Sequence, residues 1–137
     1  MTPSDGYELD EYSEEIHDMD ATVTIISTLE ILTGILGIMY VLMTFAAGFF
    51  PSPLAVLIAY ASIGTILGVL AIISIVAGVG LWQLKVWAWR IALAANVAAL
   101  VLYTFSLSIP FILLNAVLVW YLRTPRVISI YSEIEVV

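Results

Sequence analysis

Few residues in this chain could do chemistry. One acid, Glu30, and two amides, Asn96 and Asn115, stand inside apolar runs that hold no other charge, and Arg90 stands at the edge of one run. A carboxylate in such surroundings is expensive, so it must be protonated, paired or beside water. Two kinds of chemistry follow. In the first, Glu30 is a polar clamp that hydrogen-bonds Asn115, Asn96 or Arg90 and sets the register of packed helices. In the second, it binds a proton or cation during transport. A third placement, close enough to an interface to reach water directly, needs no partner. If the apolar segment begins near Val23, Glu30 lies about 10 Å inside it. Asn115 reaches a similar depth from the same side, and Asn96 lies somewhat deeper. Arg90 and Asn96, six positions apart, are about 120° apart around a helix and do not share a face.

Other chemistries lack their residues. With no cysteine there is no disulfide, thiolate metal site or Cys-x-x-Cys pair. That removes small thiol-oxidising membrane enzymes from consideration. The single histidine, His17, excludes haem held by two histidines and any paired-histidine metal spacing. There is no phosphate loop, and Gly78-Val79-Gly80 lacks the last glycine and the strand of a dinucleotide motif. No catalytic residue, metal ligand or cofactor is therefore expected, and the chain is not read as an enzyme. Four basic residues cannot build a phosphate-tracking surface, so nucleic acid is not an expected partner.

The elements that must position Glu30 follow from composition. The 137 residues are 63% hydrophobic and 11% charged, against about half and a quarter in soluble domains. The excess lies in runs long enough to cross a bilayer. Segment 21–50 has one charge, Glu30, and ends at Pro51-Ser52-Pro53, which breaks a helix. Segment 54–84 is uncharged, and so is 91–122. As one helix, 91–122 would reach about 48 Å, against a hydrocarbon core of about 30 Å. It breaks better at Ser106-Leu107-Ser108-Ile109-Pro110, where Ser108 can cap and Pro110 suits a first turn. Charge agrees with the break. With four spans, Lys85, Arg90, Arg123 and Arg126 fall on one face; with three they split evenly. The positive-inside rule then selects four spans with both termini cytoplasmic. The fourth is short, so tilt or local thinning is expected.

Residues Gly78 to Arg90 read as an interfacial turn. They carry Trp82, Trp87 and Trp89 with Lys85 and Arg90, and Trp120, Tyr121, Arg123 and Arg126 form a matching belt. Small residues mark the packing faces: Gly34 and Gly37 on the first span, and Gly64, Gly68 and Gly78 on the second, where Gly64 and Gly68 form a GxxxG pair. Glu30 shares the glycine face and so should point toward other helices.

The two ends differ from the middle. Eight of the eleven acids lie in the first twenty residues. No positive start and no apolar stretch are present there, so this is not read as a secretory signal. Leu9, Tyr12, Ile16 and Met19 form a narrow stripe opposite Asp10, Glu11, Glu14, Glu15 and Asp18. The stretch reads either as a solvated, partly disordered tail or as an amphipathic helix folded onto a basic face. After Pro125, Ile128, Ile130, Ile134 and Val136 alternate with Ser129, Tyr131, Glu133 and Glu135. That is a strand period, expected to dock on a partner's sheet edge or to stay extended and disordered.

The chain resembles a group of small uncharacterised four-span membrane proteins of bacteria and archaea. The resemblance rests on Leu29-Glu30-Ile31-Leu32-Thr33-Gly34, on Gly78-x-Gly80-Leu81-Trp82-x-Leu84-Lys85-x-Trp87-Ala88, and on Asn115 with Trp120-Tyr121-Leu122 and Pro125. It covers most of residues 22–131. It implies a fold and a topology and brings no activity or catalytic residue. The layout is also similar to small multidrug transporters, four short helices with a membrane-embedded glutamate in the first. The threonine and lysine that those proteins place downstream of the glutamate are absent here, and the charge bias is stronger.

The expected architecture is an all-α integral membrane four-helix bundle with short cytoplasmic tails. Residues 1–20 form the acidic tail. Residues 21–123 form the four-span domain, with spans at about 21–48, 54–82, 87–106 and 109–123, and residues 124–137 form the C-terminal tail. The expected function is structural or accessory, through packing with itself as a homo-oligomer or with a larger membrane assembly in a lipid bilayer. The alternative is an oligomeric proton- or cation-coupled transporter or channel centred on Glu30.

Overall fold

The computed structural model describes the backbone of residues 4–48 and 53–136, and the side chains of 19–47 and 53–134. The fold is all-helical: α1 (Ser4–Gly48), α2 (Leu54–Trp82), α3 (Val86–Phe105), α4 (Ile109–Leu122) and α5 (Pro125–Val136). No proline or glycine lies between Gly6 and Gly34, and the backbone of the acidic stretch runs unbroken into the apolar part of α1. The acidic and apolar faces expected over Leu9, Tyr12 and Ile16 lie outside the described side chains, as do Pro51 and Ser52 at the expected break.

Contacts fix the directions. Along α1 and α2, Gly78 meets Ile31, Gly34 meets Ile75, Gly68 meets Val41 and Gly64 meets Phe45. One number rises as the other falls, so the pair is antiparallel. Trp89 at the start of α3 donates to the carbonyl of Leu122 at the end of α4. Tyr103 near the end of α3 stacks on Phe111 near the start of α4. That pair is antiparallel too. Glu30 with Asn96 and Gly37 with Tyr103 show α1 and α3 running the same way. The result is an up-down-up-down bundle. The α2–α3 turn, the start of α3 and the end of α4 share one end, and Lys85, Arg90, Arg123 and Arg126 gather there.

Both turns that flank α3 are built alike. After α2, Lys85 N–H donates to Gly80 O and Leu84 N–H to Leu81 O, each at 2.9 Å. After α3, Ser108 N–H donates to Tyr103 O and Leu107 N–H to Thr104 O, at 3.1 and 3.2 Å. These are Schellman endings, which recover orphan carbonyls and place one residue in the left-handed region. Glycine usually takes that position, but leucine does here: Leu84 has φ 56° and Leu107 φ 52°.

The C-terminal segment corrects the strand reading. It is helix α5, because proline at its first position presets a helical φ and Ile128 N–H reaches Thr124 O at 3.1 Å. The apolar residues satisfied two periods at once. Val127, Ile130 and Tyr131 lie at helical spacing and are buried, while Ile128, on the expected strand face, is exposed. Burial against the bundle end selected the helix.

Two apolar clusters make the core. One joins Ile26, Leu81, Ala88, Ala92 and Leu122 with Val127 and Tyr131 of α5. The other, toward the opposite end, joins Val41, Leu67, Ala99 and Tyr103. Met19–Ala47 within α1, α2 and α3 are each long and apolar enough to cross a membrane. The pair α4 and α5, bent by 57°, reaches that standard only if taken together. Alone, the 14 residues of α4 rise about 21 Å.

Candidate functional site

Glu30 lies on the face of α1 that meets both α2 and α3, and it is fully buried. Its approach to α2 depends on glycine. A methyl group at Gly34 would sit 2.5 Å from Ile75 Cγ1 and 2.6 Å from the carbonyl oxygen of Ala71. One at Gly78 would sit 2.6 Å from Ile31 Cγ1 and 3.1 Å from Ser27 O. Backbones this close leave room for Glu30 only where small side chains face it.

The carboxyl meets its partner on α3. Asn96 Nδ2 donates toward Oε1 at 2.8 Å and Oε2 at 2.9 Å, and also to the carbonyl of Ala92 one turn back at 2.8 Å. An amide nitrogen has two hydrogens. One serves Ala92, and the other is shared by the two carboxyl oxygens. The Ala92 bond fixes the orientation of the amide, because the reversed group would set Oδ1 against that carbonyl oxygen. In the orientation present, Asn96 Oδ1 is buried and has no hydrogen-bond partner among the described residues. Ser74 of α2, also buried, lies beside the carboxyl. Three helices therefore converge on one acid.

Of the residues singled out from sequence, Glu30 and Asn96 come together. Asn115 is buried on α4, and its Nδ2 donates to Phe111 O at 2.8 Å, one turn back along its own helix. Arg90 is exposed at the start of α3. Among the described residues, no hydrogen bond joins either to Glu30. Sequence reading missed Ser74, although its position marked it. It stands three residues after Ala71 and four before Gly78, on the small-residue stripe that faces α1.

The packing glycines divide into two groups. Gly34 and Gly78 lie where a side chain would strike backbone, and Gly37 follows, with 3.0 Å to Ala71 Cβ. The GxxxG pair does not: Gly64 and Gly68 meet only side chains, Phe45 at 3.4 Å and Val41 at 3.7 Å. Among the interfacial aromatics, Trp82, Trp87 and Trp120 are exposed. Trp89 instead turns inward, its Nε1 donating to Leu122 O at 3.1 Å. Tyr121 packs against the core cluster at that end. At the opposite end Tyr40, Tyr103 and Phe111 form an aromatic cluster, and Tyr40 shares a hydrogen bond with Ser108 at 2.9 Å.

The described residues contain no group of three His, Cys, Asp or Glu placed to hold a metal. Comparison of the chain with protein-family models, with curated proteins and with solved structures finds no match in any of the three.

Proposed function

We propose that this chain is a small multi-pass integral membrane protein of structural or accessory type. Its spans are α1 from about Met19, α2, α3 and a short, tilted α4, with α5 at the membrane surface and both termini cytoplasmic. The basic end of the bundle supports that orientation, since positively charged turns stay inside. The observation that carries the structural role is the three-helix junction at Glu30. Asn96 engages both carboxyl oxygens, Ser74 adds a third helix, and the neighbouring backbones are too close for any side chain at Gly34 or Gly78. This is the arrangement of a packing clamp. It fixes register and presents a rigid surface to a second copy or a larger assembly.

The absence of cysteine allows a clean test of topology. Single substitutions Gln83→Cys and Leu54→Cys in intact cells should differ in labelling by an impermeant reagent, with Leu54→Cys the reactive one. The reverse pattern overturns the orientation, and full extraction by alkaline carbonate overturns membrane insertion. Co-purification of a defined protein from native membranes supports the accessory role, and a lone monomer counts against it.

One observation favours the second reading, a proton- or cation-coupled transporter. Asn96 Oδ1 is a buried acceptor with no donor among the described residues, next to a buried carboxyl. Vesicles containing the protein decide the matter. Proton or cation flux that disappears in Glu30→Gln supports transport, and equal flux in both removes it.

A further inference from the structure

Of the four basic residues at one end of the bundle, Arg123 has surroundings of its own. It is the C-cap of α4 and is exposed. Among the described residues its guanidinium has no ion pair and no hydrogen bond. Beside it a groove of about 590 Å³ opens between α3 and α4. Leu100, Ala116 and Val119 form its floor, and Trp120, Arg123 and Pro125 its mouth. Thr124 also borders it, but its hydroxyl already donates to Tyr121 O at 2.7 Å. Pro125 has no N–H to offer. The groove is thus apolar along its length with a single cation at one end. Ala116 precedes Arg123 by seven positions, so the floor extends about 10 Å along α4.

A phospholipid has the same polarity along its length, an anionic phosphate above apolar chains. A free phosphate or an acidic peptide would engage the guanidinium and leave the floor uncovered. A neutral lipid would cover the floor and leave the guanidinium unpaired. An exposed indole beside the cation, as Trp120 is, suits the headgroup level of a bilayer. Arginine offers the forked donors that match phosphate oxygens.

We propose that the groove between α3 and α4 binds one anionic phospholipid, its phosphate on Arg123 and an acyl chain along Leu100, Ala116 and Val119. This rests on the reading of the chain as a membrane protein. The test uses the full chain in bilayer discs of phosphatidylcholine with a minor fraction of phosphatidylglycerol, ejected into a mass spectrometer with its retained lipids. The wild type should retain one phosphatidylglycerol with a preference of about fivefold over its share of the bilayer, the size expected of one basic side chain at an anionic surface. Arg123→Gln should abolish the preference. Ala116→Phe, which fills the floor and leaves every charge, should abolish it too. Lys85→Gln removes an equal charge outside the groove and should retain it. Equal losses in Lys85→Gln and Arg123→Gln, or no preference in the wild type, overturn the site. A chain that does not enter the discs at all overturns the membrane reading instead, so the two failures are distinct.

Discussion

The hydroxyl of Tyr131 donates to the carbonyl of Leu81 at 3.1 Å, across fifty positions of chain. That carbonyl also accepts from Leu84 N–H in the turn after α2. One oxygen thus ties the last helix to the end of the second. Tyr131→Phe keeps the ring and removes only the bond. Because Leu84 still satisfies the carbonyl, the loss should stay near the net value of a hydrogen bond, about 1 kcal/mol. Deleting residues 125–137 should cost considerably more, since it uncovers Leu81, Leu122 and Ala88, all fully buried beneath α5. Thermal unfolding of the three proteins in one detergent checks the order.

The same tyrosine makes the docking of α5 sensitive to high pH. Burial pushes the Tyr131 phenol up from 10.0 to about 12, so the folded chain holds that proton where the unfolded chain releases it. The contribution is complete below pH 10 and is lost as pH rises through about 12. The stability difference between wild type and Tyr131→Phe should therefore shrink across that window and hold steady below it. Parallel unfolding curves from pH 8 upward measure it. A difference constant to pH 12 contradicts the assignment.

The apolar helices and the break before Pro110 were legible because long uncharged runs and a proline after a serine-rich turn are strong local signals. The end of the chain was not. Ile128, Ile130 and Ile134 fit a period of two, while Val127, Ile130, Tyr131 and Ile134 fit a helix, and local pattern alone cannot choose between them. Contacts with Leu81 and Leu122, distant in sequence, made the choice. The site was half legible for a related reason. An acid among apolar residues advertises itself, but which of three amide or cationic candidates meets it depends on the rotation of each helix. Asn96 lies on the face shared with Ala92 and Ala99, and Arg90 does not. Ser74 went unread because a serine in an apolar helix can satisfy itself on the carbonyl one turn back, as Ser62 does on Ile58.

Glu30 and Asn96 should behave as one unit. Glu30→Gln preserves an oxygen for Asn96 Nδ2 and should fold. Glu30→Leu leaves a buried amide whose carbonyl and one N–H both lack partners. A double-mutant cycle with Glu30→Leu and Asn96→Leu should return a coupling between about 0.6 kcal/mol, the average for interhelical hydrogen bonds in membranes, and their maximum of about 1.7 kcal/mol. Additive single losses would show that the two groups do not support each other.

The glycines should separate under alanine substitution. Gly78→Ala brings a methyl to 3.0 Å from the backbone nitrogen of Ile31, and Gly34→Ala to 2.6 Å from the carbonyl of Ala71. Helix backbone cannot give way cheaply, so each should cost about 1–3 kcal/mol, the usual penalty of overpacking. Gly68→Ala meets Val41 at ordinary contact distance and should be neutral or gain up to about 1 kcal/mol from helix propensity. Unfolding in detergent ranks them. If Gly68→Ala proves the most damaging, Gly68 is packed by a second molecule as well as by Val41 of α1.

Leu107 is 81% exposed and holds φ at 52°, a conformation that costs a residue with Cβ about 1–2 kcal/mol. Among the described residues little repays that cost, because the side chain is almost fully exposed. Leu107→Gly should therefore stabilise the isolated protein in detergent by about 1 kcal/mol, with the Schellman bonds of Leu107 and Ser108 intact. Leu84→Gly is the contrast. Its φ of 56° is relieved equally, but Leu84 packs against the core of α2, α3 and α5, so the lost burial offsets the gain and stability should change little. A strained leucine without contacts is retained only where something apolar meets it, and bilayer hydrocarbon at the end of α3 would do so. The same substitution measured in lipid should then lose its advantage. Leu107→Gly stabilising in detergent and neutral in a bilayer would place that turn in contact with lipid. Equal gains in both would place it in water, beyond the hydrocarbon.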